Sequence, residues 1–470
     1  MHRERRYWAP SLSDEIETVD VPRPNGAGMP SPLSNPAAAS MANIAPSDSE
    51  VMLDRIEHAA FGYFRQTVNP ANGLVADTTR DHWPCSIAVV GFALSSYPVA
   101  VERGWMSRDE ALELTLAALR FFRDSNQSGT PDSTGYKGFY YHFLDMQSGI
   151  RMWRSELSMI DTALLIAGAL TARMYFNAET AREAELREIA DQLYRRVDWR
   201  WSQDGGKTIM QGWKPESGFL HYGWEGYSES IVLYVLALGS PTHPPGPDTY
   251  KAWTATYQWE NLYDIDFLYA GPLFIHQFSH AWIDFRGIRD PFMHEKRSDY
   301  FENSRHAILI QREYVRRNPH EFVGYDEDCW GLTACDGPTT GMPDTSDGAR
   351  RLFGYTARGV PYGPDDGTLA GWAPLASLPF APEIVLSTVG TMYQRYPEMC
   401  PDYRYASSFN PGLIDAAGKF WVSAGHYGLD QGIVTMMVEN HRTQLIWRLM
   451  RNCPYVVAGL RRAGFTGGWL

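Results

Sequence analysis

The chain has 470 residues, 44% of them hydrophobic and 21% charged, with 16 Trp, 26 Tyr and a formal net charge of −13. That is ample apolar material for a large packed core, and the acidic balance argues against nucleic acid, whose phosphates call for a basic face. An acidic, aromatic-rich chain is compatible instead with neutral, hydroxyl-rich ligands such as sugars.

Residues 1–50 are rich in Pro, Ser, Ala and Asn and read as a disordered leader ahead of one domain spanning 51–470. The leader starts basic but lacks the apolar stretch of about 7–15 residues that marks a secretory signal, so the sequence alone predicts a cytoplasmic protein. No apolar run approaches the roughly 18–20 residues of a membrane span, and no membrane association is expected. Helical spacing of apolar residues then recurs along the chain. It begins with "SEVMLDRIEHAAFGYFRQTV" (49–68), "PCSIAVVGFALSSYPVAVERG" (84–104) and "SRDEALELTLAALRFFRDS" (107–125), whose Ser107 and Glu110 form a capping box. A short hairpin with its turn at Gln147 to Gly149 is predicted within 137–153. Helices follow over 155–176 and 178–199, and another runs from about Glu225 to Leu238. The last ones lie in 299–319, 381–397 and 430–452.

These helices are of two kinds. The one at 180–198 has a broad charged face, whereas those at 157–172 and 229–239 are apolar on nearly all sides and must be buried. Alternation of outer amphipathic and inner apolar helices predicts an all-α, closed double ring of about a dozen helices around a central funnel, with ligand-facing residues at helix ends and in long loops. An open α-solenoid would show a repeat of fixed length, and the sequence has no such period. The five cysteines (Cys85, Cys329, Cys335, Cys400, Cys453) are scattered without a CxxC pair and read as ordinary buried thiols.

Three segments place acids at the entrances of apolar helices: "WRSELSMIDTALL" with Glu156 and Asp161, "YSESIVLYVLAL" with Glu229, and "YGLDQGIVTMMVEN" with Asp430. Carboxyl groups around a funnel are what glycoside hydrolysis needs, one to protonate the leaving oxygen and one to activate water or attack carbon. The competing reading makes Glu156 and Asp430 simple N-terminal acids that suit the helix dipole. It is weaker for Asp161 and Glu229, which are followed by apolar residues on every face. Aromatics recur beside the acids: Trp153 near Glu156, Trp224 and Tyr227 near Glu229, and Trp282 and Trp330 near Asp284 and Asp336. Sugar rings stack on such side chains while acids and arginines take the hydroxyls. His276, His280 and Asp284, each four residues apart, could share a helix face as zinc ligands. The same string of His280, Trp282, Asp284 and Arg286 reads equally as a sugar-binding wall, and no metal or other cofactor is expected. Neither a phosphate-binding GxxxxGK[ST] loop nor a GxSxG elbow occurs.

Several of these stretches resemble a known family. "GYSESIVLYVLALGSPTHP", "GPLFIHQFSHAWIDFRGIRD", "DYFENSRHAILIQREY", "WGLTACDGP", "SLPFAPEIVL" and "GLDQGIVTMMVENHR" are similar to the bacterial glucoamylase-like domain of the endo-β-1,2-glucanases, glycoside hydrolase family 144. The resemblance runs from about residue 52 to the C-terminus. It implies an (α/α)6 toroid, inverting hydrolysis of β-1,2-linked glucose chains without a metal, and a periplasmic or secreted location. It also matches Glu229 to the family's general acid and Glu156 and Asp161 to a segment supplying other essential acids, with Asp430 as a substitute base. One departure stands out: many members carry Asp before Ala-Phe-Asn, where this chain has Ser407 in "YASSFNPG". Two rival readings follow, a transglycosylase acting on β-1,2-glucan and a non-catalytic carbohydrate-binding protein that lost its base at Ser407.

Overall fold

A computed structural model describes residues 46–338 and 351–470. The expected leader therefore lies outside the described residues, except for 46–50, which already belong to the first helix. Among the described residues, α-helices carry the fold. In chain order they are α1 (Pro46–Thr67), α2 (Ile87–Glu102), α3 (Arg108–Asp124), α4 (Met159–Tyr175), α5 (Ala181–Arg196), α6 (Ile231–Gly239) and α7 (Thr249–Thr254). They continue with α8 (Pro291–Lys296), α9 (Tyr300–Arg317), α10 (Trp372–Ala376), α11 (Pro382–Arg395), α12 (Gly428–Arg442), α13 (Leu445–Arg451) and α14 (Pro454–Arg462).

Local chemistry explains several starts. Ser107, Ser158, Thr180 and Asp299 each accept a hydrogen bond from the backbone N–H three residues on, which satisfies one of the free donors at a helix start. α6 is shorter than expected because Gly226 turns the chain at φ +80° and the Glu229 carbonyl accepts from the Ser279 hydroxyl at 2.7 Å. Glu229 consequently sits two residues ahead of α6, not one turn inside it. The helix expected over 430–452 is split into α12 and α13 by Gln444, held in the left-handed region at φ +61°.

The two kinds of helix are present. α2, α4 and α6 bury nearly every residue, while α3, α5 and α9 each bury one face. α2 lies against α4, α4 against α6, and α12 against both α2 and α10. Small residues let these backbones approach: a Cβ on Gly168 of α4 would come within 2.1 Å of the Gly91 carbonyl oxygen of α2. Likewise a Cβ on Gly459 of α14 would lie 1.9 Å from the Val235 oxygen of α6. Between α6 and α10 the buried layer is completed by two 3-10 turns, Leu273–His276 and Phe278–Ala281, rather than by an α-helix. Ser279 accepts from the Val232 N–H at 3.1 Å, and Gln277 donates to the Ala373 carbonyl at 2.7 Å.

Short strands decorate the connections. The expected hairpin over 137–153 is drawn into a wider arrangement: Phe139–Tyr141 lies in a five-stranded antiparallel sheet that includes Leu157–Ser158 and Gly212–Lys214. Its turn is still closed locally, with the Asp145 N–H donating to the Ile150 carbonyl at 2.8 Å. All five cysteines are buried and unpaired. Among the described residues no helix is long and apolar enough to cross a membrane.

The long connection before α10 is tied down by a fully buried ion pair. Arg358 meets Asp366 through two hydrogen bonds of 2.8 Å, and its remaining donors reach the Cys335, Asp336, Phe353 and Gly354 carbonyls. Removing one partner strands a buried charge. Asp366→Ala should therefore lower unfolding free energy by about 3–5 kcal/mol, measurable by urea denaturation. A loss under about 1 kcal/mol would show the pair to be dispensable.

Candidate active site

The acids gather where the buried helices begin. Asp161 lies in the first turn of α4, its backbone N–H held by the Ser158 hydroxyl at 3.2 Å while that hydroxyl donates to its carboxylate. Glu156 stands two residues before Ser158, immediately ahead of the Leu157–Ser158 strand that feeds α4. Between the two carboxylates sits His142. Its Nδ1 is 3.1 Å from Glu156 Oε1 and its Nε2 is 3.5 Å from Asp161 Oδ2. Burial works against a charged ring here, but the two carboxylates outweigh it and lift the imidazole to about 9. Burial likewise works against an ionised Glu156, and the His142 hydrogen bond and charge overcome it, taking the carboxyl down to about 2.

Glu229 has the opposite character. Burial raises its carboxyl, a hydrogen bond from its own backbone N–H opposes that, and the Asp161 charge adds to it, for a net value of about 7. Near neutrality this is a carboxylic acid that holds its proton beside a carboxylate.

A second group of acids comes from the loops. Asp77, in the connection between α1 and α2, accepts from the Trp83 indole at 3.2 Å, and its carbonyl accepts from the Gly428 N–H at the start of α12. Burial pushes its carboxyl to about 6 against the pull of His142 and Trp83, with Asp161 adding to the rise. Asp430 in the first turn of α12 is raised well above the usual carboxylate range, by burial first, against a hydrogen bond from Ser407, and further by Asp77 and Asp336. Its Oδ2 is buried with no partner. For Asp430, the expected substitute base, burial thus favours the neutral acid in this structure. Asp336 pairs with Arg80 and accepts from the Ser423 hydroxyl at 2.8 Å, while its backbone N–H donates to the Ser407 hydroxyl at 3.4 Å. An acid in the place of Ser407 would add a third carboxyl to Asp336 and Asp430.

Aromatic rings border these groups. Trp153 is 45% exposed and packs edge-on to Trp83 at 5.1 Å and against Phe143 at 5.0 Å. Its backbone is left-handed at φ +54°, as is that of Arg154 at φ +49°, a conformation L-residues adopt at a cost. Tyr355 is 48% exposed, within electrostatic reach of Asp430, Asp77 and Tyr427. Trp224 and Tyr227 are only half open. Trp224 packs on the core with its indole N–H buried and unpartnered, and the Tyr227 hydroxyl meets His276 Nδ1 at 3.3 Å.

Five expected binding residues lie elsewhere. Trp282 and Trp330 are fully buried, their indoles donating to Ser95 and Thr388 at 2.9 Å each, so neither is a sugar platform. His280 is buried against Ser304, and burial drives its ring down to about 3. Asp284 is buried in an ion pair with Arg286 and Arg451, and Arg286 lies over the Trp447 ring. The sugar-binding wall read into this stretch is thus a structural cluster. Nor do His276, His280 and Asp284 share a helix face, because the 3-10 turns send them to separate partners. Among the described residues no group of three or more His, Cys, Asp or Glu is arranged to hold a metal ion.

Comparison with known proteins adds the relationship. Residues 221–454 match the family model "Glycoamylase", described as "Putative glucoamylase". An exo β-1,2-glucooligosaccharide sophorohydrolase (non-reducing end) of Parabacteroides distasonis is 26% identical, over 91% of this chain and 60% of the relative. A "putative glucoamylase" structure from Bacteroides uniformis superposes with a TM-score of 0.78 at 28% identity, covering 90% of this chain and 98% of that one. The endo-β-1,2-glucanase of Chitinophaga pinensis, solved with sophorotriose and glucose, gives 0.76 at 25% identity, with 90% and 99% covered. Over residues 221–454 the chain is thus similar to this glucoamylase-like family. It spans about 60% of the length of the curated P. distasonis relative.

The part matched by the glucoamylase-like model contains Glu229, Asp336, Ser407 and Asp430, whereas Asp77, His142, Glu156 and Asp161 precede it. Sequence reading missed His142, Asp77 and Tyr355. His142 lies in a strand pattern that carries no catalytic signature, and only the pairing of that strand with Leu157–Ser158 brings it between two acids. The charge of Asp161 helps Glu229 keep its proton, so Asp161→Asn should move the Glu229 titration below about 7. Carboxyl NMR of protein labelled at glutamate, with Glu229→Gln for assignment, checks this; an unmoved titration would mean that the two carboxyls do not interact.

Proposed function

We propose that the protein is a glycoside hydrolase that cleaves β-1,2-linked glucan or its oligosaccharides with inversion, in a funnel at the centre of an (α/α)6 toroid. The contacts that run from α12 to α2, α4 and α6, through the 3-10 turns to α10 and back to α12, support a closed inner ring. In this reading α1, α3, α5, α9 and α11 form the outer layer, and residues 46–470 make one catalytic domain. The funnel mouth is where the inner helices begin, and the acids of α4, α6 and α12 stand there.

The observation that carries the chemistry is Glu229, a carboxyl of about 7 next to Asp161. Glycosidic cleavage needs an acid that keeps its proton until the leaving oxygen takes charge, and a second carboxylate to orient water. Glu229 supplies the proton to the departing sugar. Asp161, gripped by Ser158 and His142, is the carboxylate that takes a proton from the attacking water as its oxygen bonds to the anomeric carbon. The C–O bond breaks on the opposite side, which inverts the configuration. Glu156, held ionised by His142, fixes that imidazole rather than exchanging protons itself. Trp153, with Trp83 behind it, provides the exposed aromatic face for a sugar ring, and the Arg80–Asp336 pair offers polar contacts to hydroxyls. The β-1,2 linkage is drawn from the relatives, one named for β-1,2-glucooligosaccharides and one an endo-β-1,2-glucanase.

Thin-layer analysis should show sophoro-oligosaccharides or glucose released from β-1,2-glucan and nothing from β-1,3- or β-1,4-glucans. Proton NMR should show the α-anomer first. Retention with redistribution of chain lengths would identify a transglycosylase instead. Glu229→Gln should cut kcat by about 10²–10⁴-fold, and an active variant would remove Glu229 from the role of acid.

A further inference from the structure

The wall of carboxyls contains one half-buried base whose two ring nitrogens each face a carboxyl group. His142 faces Glu156 through Nδ1 at 3.1 Å and Asp161 through Nε2 at 3.5 Å. A carboxylate can only accept, so the Nδ1–H bond to Glu156 together with an Nε2 facing the Asp161 carboxyl favours the doubly protonated ring. The ring is also fixed in plane, stacked on Phe143 with centroids 4.0 Å apart and 13° between planes. Its main chain does not depend on this side chain. The His142 N–H donates to the Glu156 carbonyl at 2.9 Å, and its carbonyl accepts from the Ile87 N–H at 3.2 Å, where α2 begins. The local fold is secured by backbone bonds, which leaves the imidazole to act on the acids.

We infer that His142 is a cationic positioning residue of the hydrolytic site, clamped by Glu156 so that its Nε2 side faces and orients the Asp161 carboxyl that works opposite Glu229. This rests on the hydrolase reading above. The charged groups around the ring are Glu156 just ahead of the paired strand, Asp161 on α4 and Asp77 in the loop before α2, with Lys214 behind Glu156 and Arg80 beyond Asp77. His142 is therefore the cation that balances three acids at close quarters.

The test uses His142→Gln, which keeps a donor and removes the charge. With β-1,2-gluco-oligosaccharides, kcat should fall by up to about 100-fold with KM little changed, and the acidic limb of the kcat/KM profile should move to higher pH. A purely structural His142 would lower activity or stability without moving the profile, and that result overturns the inference. Imidazole NMR of the wild-type protein gives a readout independent of turnover. The His142 ring should stay fully protonated at pH 7 and titrate near 9, and Asp161→Asn should pull that titration down. A ring found neutral at pH 7 overturns the inference even if the glucanase is active. An inactive wild type whose ring stays protonated would overturn the hydrolase reading and leave the clamp standing.

Discussion

The site depends on keeping a proton on one carboxyl while a neighbouring carboxyl goes without. In the proposed active site Glu229 and Asp161 interact, and in bulk water both would ionise well below neutral pH. Two physical effects separate them. Glu229 is half-buried, and the partial loss of water together with the nearby Asp161 charge disfavours its charged form. Asp161 receives a hydroxyl proton from Ser158 and lies beside the His142 imidazolium, so its charge has partners. The division of labour between acid and base follows from where water, donors and one cation are placed.

The fold supplies that placement by starting its buried helices at one end. α4, α6 and α12 each bring an acid into or just ahead of the first turn, where free backbone N–H groups and the helix dipole favour an oxygen. Close packing makes the approach possible: Gly91 against Gly168 brings α2 and α4 together, and Gly428 and Gly432 let α12 settle against Val89 and Phe92. The loops complete the site. The buried Arg358–Asp366 pair anchors the segment that presents Asp336 and Tyr355, and the Asp77 carbonyl is tied to the start of α12. Tightening at the core thus fixes the register of acids at the mouth.

Much of this was legible in the residues. Apolar runs without a polar face could only be buried helices, and Ser107 three residues before Glu110 marked the start of α3. Acids at the heads of such helices pointed to the site. The sequence misled where tertiary structure overrode local pattern. Trp282, Trp330, Asp284 and Arg286 have the composition of a sugar-binding wall, yet they pair with one another or with core groups such as Ser95, Thr388 and Arg451. The end of α6 was readable, but its start was not, because the turn at Gly226 and the bond from Ser279 come from contacts distant in sequence. His142 and Asp77 were invisible for a related reason: each becomes functional only through strand pairing or a loop crossing that no local periodicity encodes. Asp430 was placed correctly at a helix start, but the rise that burial gives its carboxyl cannot be read from spacing.

The most direct measurement is the pH dependence of kcat/KM for the wild-type protein on a β-1,2-gluco-oligosaccharide. A carboxyl raised to about 7 carries its proton below that pH and loses it above, so the rate constant should fall as pH rises through about 7, approaching a tenfold decline per unit. A profile that stays flat to pH 9, or that falls already at pH 5, would contradict a buried, proton-holding Glu229 as the group that drives cleavage.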